Sequence, residues 1–103
     1  MLNRVLVSVE NESDQVPSQF FLNQNFPNPF NPSTKIKYEV PGNGNISLKV
    51  YDVLGKEITV IVNEIQNTGI YEVNFNGNNL PGGVYFYKLE AFDPSIKKMI
   101  LIK

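Results

Sequence analysis

Residues 84–92 read VYFYKLEAF, and their alternation places Tyr85, Tyr87 and Leu89 on one face. A period of two over a stretch rich in aromatic and β-branched side chains predicts a half-buried β-strand. The stretch is bracketed by turn chemistry. Upstream lies NGNNLPGG (76–83), downstream Asp93-Pro94-Ser95 and a last strand, KKMILIK (97–103). Gly, Asn and Pro cluster at such places because they accept the backbone conformations that reversals need.

The same grammar repeats toward the N-terminus. IYEVNF (70–75) alternates with Tyr71, Val73 and Phe75 inward, and EIQNTG (64–69) before it contains a Gly that permits a reversal. EITVIVN (57–63) and ISLKVYDV (46–53) predict a hairpin around Asp52-Val53-Leu54-Gly55, a type I turn with Asp at its first position and Gly at its fourth. Ile46, Leu48 and Val50 share a face, as do Ile36, Tyr38 and Val40 in IKYEV beyond the PGNGN turn. Pro27, Pro29 and Pro32 exclude a central strand or helix from PNPFNPST, which must be an extended or turn-rich crossover after FFLNQNF (20–26).

About seven short strands with turns every 8–12 residues and no helical period predict an all-β fold, an immunoglobulin-like antiparallel β-sandwich with Greek-key connections. Strand counting leaves a closed five- or six-stranded barrel open. Leu80, Gly82 and Tyr85 have the arrangement of a tyrosine corner, with Tyr85 as plain core the alternative. At 103 residues the chain is one domain with a thin core. Residues 1–19 predict a linker or the end of an upstream domain. The alternation of Leu2 and Arg4 against Val5, Val7 and Val9 also allows an edge strand, while ENESDQVPSQ reads as linker.

The composition closes most chemistry. There is no Cys and no His, so thiol catalysis, thiolate metal sites and the usual general base are absent. Ser33, Ser47 and Ser95 have no nucleophile elbow around them. The carboxylates Glu39, Asp52, Glu57, Glu64, Glu72, Glu90 and Asp93 mostly fall at outward strand positions or in turns, as a solvated face would. No catalytic residue and no cofactor is expected. Asn76, Asn78 and Asn79 could hold calcium, but turn conformation accounts for them without a metal. Tyr51, Tyr71, Tyr85 and Tyr87 could form a sugar-stacking platform, but their alternation points most of them inward. A net charge of −1 gives no nucleic-acid footprint, and no apolar run is long enough to span a membrane. MLNRVLVSVENES is not a secretion signal.

Four blocks together, NFPNPFNPSTKIKYEVP (25–41), ISLKVYDVLGKEI (46–58), LPGGVYFYKLEA (80–91) and KKMILIK, resemble the type A carboxy-terminal sorting domain of the type IX secretion system. That family is related to the immunoglobulin-like domain of flagellar hook-capping proteins, where a Trp-Asp-Gly turn is expected in place of Phe75-Asn76-Gly77. The resemblance covers residues 20–103. It implies a non-catalytic module at the end of a larger cargo, which crosses the periplasm and reaches the cell surface or medium. The implied partners are the type IX outer-membrane machinery and a sortase-like peptidase that removes the module. Within the resemblance Asp52 and Gly55 match the turn motif, Gly83 and Tyr85 a P-x-G-x-Y-like motif, and Lys97, Lys98 and Lys103 the basic last strand. A carbohydrate-binding module or passive spacer of a secreted hydrolase is the competing expectation. The lysine-flanked last strand, as a sheet edge, offers backbone groups for strand addition.

Overall fold

The computed structural model describes the backbone of Arg4–Leu6 and all residues from 17 to 103. The expectations for Leu2, Val7, Val9 and the polar stretch up to residue 16 lie outside the described residues. Eight strands form: β1 (Arg4–Leu6), β2 (Phe21–Leu22), β3 (Ser33–Val40), β4 (Gly44–Tyr51), β5 (Glu57–Gln66), β6 (Gly69–Asn76), β7 (Gly83–Glu90) and β8 (Ser95–Leu101). They make two four-stranded antiparallel sheets, β1-β6-β3-β2 and β5-β4-β7-β8, and no described residue is helical. Arg4, Val5 and Leu6 of β1 pair with Val73, Glu72 and Tyr71 of β6.

The seven strands from β2 onward divide three and four, and the chain changes sheet after β3, β5 and β6. That division is the immunoglobulin-like Greek key, with open edges rather than a closed barrel. Its corner is present too. Tyr85, at the start of β7, donates its hydroxyl to the carbonyl of Pro81 at 2.6 Å, four residues back. Tyr71 repeats the bond at the β5–β6 corner, reaching Asn67 O at 2.9 Å. Tyr85 is therefore both corner and core.

The alternation that predicted the strands also set the core. Ile36, Tyr38, Leu48, Val50, Val73, Phe75, Tyr85, Tyr87 and Leu89 are all buried. Tyr38 and Tyr71 stack at 5.5 Å between adjacent strands. Two details differ from the sequence reading. β5 runs on to Gln66, so the reversal is only Asn67-Thr68, and Gly69 makes it without a positive φ. β5 is also doubly bulged: Leu48 and Lys49 face Val62 and Val60, and Val50 and Tyr51 face Thr59 and Glu57. Ile61 and Ile58 are left without partners in the ladder, which bends and twists this edge.

Candidate functional site

The β4–β5 turn is held by one side chain. Asp52 Oδ1 accepts the backbone N–H groups of Leu54 and Lys56, both at 2.9 Å. Gly55 N–H donates to Asp52 O at 3.0 Å, and Asp52 N–H to Lys56 O at 2.9 Å. Four hydrogen bonds thus fix five residues, and Val53 and Leu54, at 62% and 89% exposure, are presented to solvent on a rigid base. Gly55 has φ +84°, with nothing within 4 Å of where a Cβ would sit. Gly55→Val is expected to cost about 1–2 kcal/mol from backbone strain alone, with no steric clash. Its urea midpoint should fall accordingly, and an unchanged midpoint would remove the strain argument.

The register brings further candidates to the same end. Tyr51 is opposite Phe86 in β7, and Gly83, three residues nearer that end, is opposite Leu101 of β8. Gly83 has φ +148° where the long turn enters β7. Lys103 Nζ donates to Asn78 O at 2.6 Å, tying the terminus to that turn. Asp52, Gly55, Gly83 and Lys103 therefore lie at one end of the sandwich, with Tyr85 packed just beneath. An open groove of about 770 Å³ adjoins them, between Ile58, Val60 and Ile61 of β5 and Phe75, Asn79 and Leu80.

The two adjacent lysines face opposite sides of their sheet. Lys98 is opposite Phe86 on the outer face of the second sheet, whereas Lys97 is opposite buried Tyr87 on the other face. Nor is the edge of β8 open for strand addition, which corrects the expectation for KKMILIK. The Pro-rich segment lies along it. Phe30 N–H donates to Ile100 O at 2.9 Å and Ile102 N–H to Phe30 O at 2.8 Å, a parallel bridge beside Leu101. Asn28 Oδ1 accepts Ile100 N–H at 3.0 Å, and Gln24 Nε2 donates to Lys98 O at 2.6 Å. Lys98 O, Ile100 N–H and O, and Ile102 N–H, which an incoming strand would use, are already occupied. Sequence reasoning missed Gln24, Asn28 and Phe30 as edge guards; the repeated Asn-Pro steps marked a crossover without showing where it docks.

On the outer face of the second sheet, Lys49 bridges Glu90 at 3.3 Å and Glu57 at 3.7 Å, and Lys88 reaches Glu90 at 3.3 Å. The Glu90 hydrogen bond and charge raise the Lys49 ammonium above its ordinary value. Desolvation alone would push Glu90 up, but hydrogen bonds from Lys88 and Lys49 outweigh it and hold the carboxyl below its ordinary value. Of the four tyrosines weighed as a sugar platform, Tyr71, Tyr85 and Tyr87 are in the core. No cluster of acidic side chains with metal-binding proximity occurs among the described residues.

A two-sheet all-β module, with its polar chemistry spent on turns and edges, is of the immunoglobulin-like β-sandwich class. The family model for the secretion system C-terminal sorting domain matches residues 24–103, and the chain belongs to that family, the type IX secretion sorting tails. The match begins at Gln24, where the edge guard of β8 begins, and takes in every strand from β3 to β8. Neither a curated protein nor a solved structure matches the chain significantly.

Proposed function

We propose that residues 20–103 act as a folded, non-catalytic address that is read in the periplasm and removed at the outer membrane by a sortase-like peptidase. Family membership makes the chain a C-terminal sorting signal for type IX export to the cell surface or the extracellular space. The observation that carries the finer reading is the clustering of Asp52, Gly55, Gly83 and Lys103 at one end, on turns fixed by hydrogen bonds. A rigid turn loses little entropy when a receptor grips it, so such an end suits recognition of the folded state. The cargo would precede the module in the same chain, and residues 1–19 would lead into it.

The test fuses the chain to a periplasmic reporter in a host with type IX secretion. Surface or extracellular delivery is the expected result, and retention in the periplasm would overturn the reading. Lys97→Gln, Lys98→Gln and Lys103→Gln together ask whether the basic strand is read. Each should shift stability by under about 0.5 kcal/mol. Loss of delivery with an unchanged melting curve is expected if the receptor reads these charges. Normal delivery would assign them to solubility and leave the turns as the address.

A further inference from the structure

The outer face of the β5-β4-β7-β8 sheet is split into two halves. An antiparallel sheet that meets water is ordinarily polar on its outer side. Toward the β4 N-terminus this one is mostly so: Asn45, Ser47, Lys49, Lys88 and Glu90 project there, neighbours by register, with Ile65 opposite Asn45 and Ile96 opposite Lys88 exposed singly among them. Toward the other end the pattern breaks. Tyr51 is opposite Phe86 and Val84 opposite Ile100, all four half-buried, with Ile102 two residues further along, 49% exposed. The turn that follows Tyr51 carries Leu54 at the same end. The core does not need these side chains, since the inner faces of the same strands are already filled by Val50, Tyr85, Tyr87, Met99 and Leu101. Apolar side chains grouped by register in this way, rather than scattered singly as Ile65 and Ile96 are, mark an interaction surface.

The charges select the partner. Lys98, beside Phe86 in the register, and Lys56 and Lys103, at the same end, are exposed and make no ion pair with a described residue. The carboxylates of this face, Glu57 and Glu90, are taken up by Lys49 and Lys88. Asp52, which follows Tyr51, is the remaining carboxylate at this end and its Oδ1 is held by the turn's N–H groups, so three lysines against one carboxylate leave the unmatched charge positive around an apolar centre. Two copies meeting through this face would set unmatched cations against each other. A lipid surface would have to desolvate the carboxylates of the neighbouring ion pairs. Strand addition is disfavoured on both edges of the sheet, by the Pro-rich guard on β8 and the two bulges of β5. What fits is another protein, docking on the face.

Resting on the sorting reading above, we infer that Tyr51, Val84, Phe86, Ile100, Ile102 and Leu54 form the docking surface for a component of the export machinery with an apolar, acid-rimmed surface. Apolar contact would supply the affinity, and the lysines would steer the encounter and exclude wrong partners.

The experiment uses the reporter fusion of the full chain. Leu54→Asp with Ile102→Asp changes two exposed side chains, so the melting curve should be preserved while delivered reporter falls at least tenfold. Lys98→Glu reverses the rim charge at a third exposed position and should also reduce delivery, even if the double variant proves unstable. Phe92→Asp, at a 96% exposed position in the β7–β8 turn at the opposite end, should deliver normally. Normal delivery of the double variant and of Lys98→Glu would overturn the docking surface while leaving the sorting function intact. Failure of the unsubstituted fusion would instead overturn the sorting reading. Equal loss in Phe92→Asp would show that the effect does not belong to this face. Two binding assays on the purified chain complete the test. Concentration-dependent dimerisation abolished by Leu54→Asp, or binding to anionic phospholipid vesicles abolished by it, would replace the protein partner with a second copy or a membrane.

Discussion

Phe30→Ala is expected to lower the melting temperature by about 15–30 °C, whereas Phe26→Ala, four residues away, should hardly move it. Phe30 is 1% exposed and meets Phe75 edge-on at 6.0 Å, with ring planes at 67°. Removing a buried phenyl ring costs about 3–5 kcal/mol, for lost transfer energy and the cavity left behind. In a domain of this size each kcal/mol is worth about 4–8 °C. Phe26 is 79% exposed, and its bridge to Lys35 is made by backbone groups that Ala retains. Phe30 also anchors the guard on β8, so Phe30→Ala should speed hydrogen exchange at Phe30 and Ile102 N–H more than at the centre of β4. Equal melting of the two variants would show that the Pro-rich segment merely lies over the sandwich without holding it.

The contrast between these two phenylalanines also shows where sequence reasoning stops. Within strands, alternation decides which side chain turns inward, so Ile36, Tyr38, Leu48, Tyr87 and their neighbours were legible from spacing alone. The Asp52–Gly55 turn was legible for a similar reason, because its chemistry is local and its hydrogen bonds close within five residues. In NFPNPFNP nothing alternates, and each Phe stands beside a Pro, Phe26 before Pro27 and Phe30 after Pro29. Which one is buried depends on β8, about 70 residues away, and on the bridge from Phe30 to Ile100 and Ile102. The same distance hid the closure of the β8 edge, and so made KKMILIK read as open to strand addition. For the outer-face patch a signal was present. KKMILIK is apolar on both faces, and VYFYKLE has Val84 and Phe86 on the side opposite Tyr85 and Tyr87. Apolar residues on both faces fit a strand covered on two sides, and here only one side is covered by the fold.

Tyr87 sits where the long-range contacts converge, and Tyr87→Phe should cost about 2–3 kcal/mol at neutral pH although it removes a single oxygen. That hydroxyl donates to Asn23 O at 2.6 Å and accepts the N–H of Asn25 at 2.7 Å, on a residue with no exposed surface. Without it, a backbone donor and acceptor of the segment leading into the β8 guard lose their partner. Buried groups left unsatisfied pay their full desolvation cost. The loss should reach further, because Asn25 organises that segment through bonds from its Nδ2 to Thr34 Oγ1 at 3.0 Å and Pro27 O at 3.1 Å. A second signature lies at alkaline pH. Burial pushes the Tyr87 phenol up from 10.0 to about 12, with the Asn25 N–H bond opposing in part. The unfolded chain releases this proton near its ordinary value while the folded one retains it. The contribution is therefore complete below pH 10 and is lost as pH rises from there toward 12. Each unit of difference corresponds to about 1.4 kcal/mol, so wild-type stability should fall by roughly 2–3 kcal/mol across that window from this group. Tyr87→Phe lacks the proton and should lack that part of the slope. Urea midpoints at pH 9 and pH 11.5 should show the gap between wild type and variant narrowing at the higher pH. A constant gap would mean that Tyr87 ionises freely in the folded protein, and that its two hydrogen bonds do not hold the chain as described.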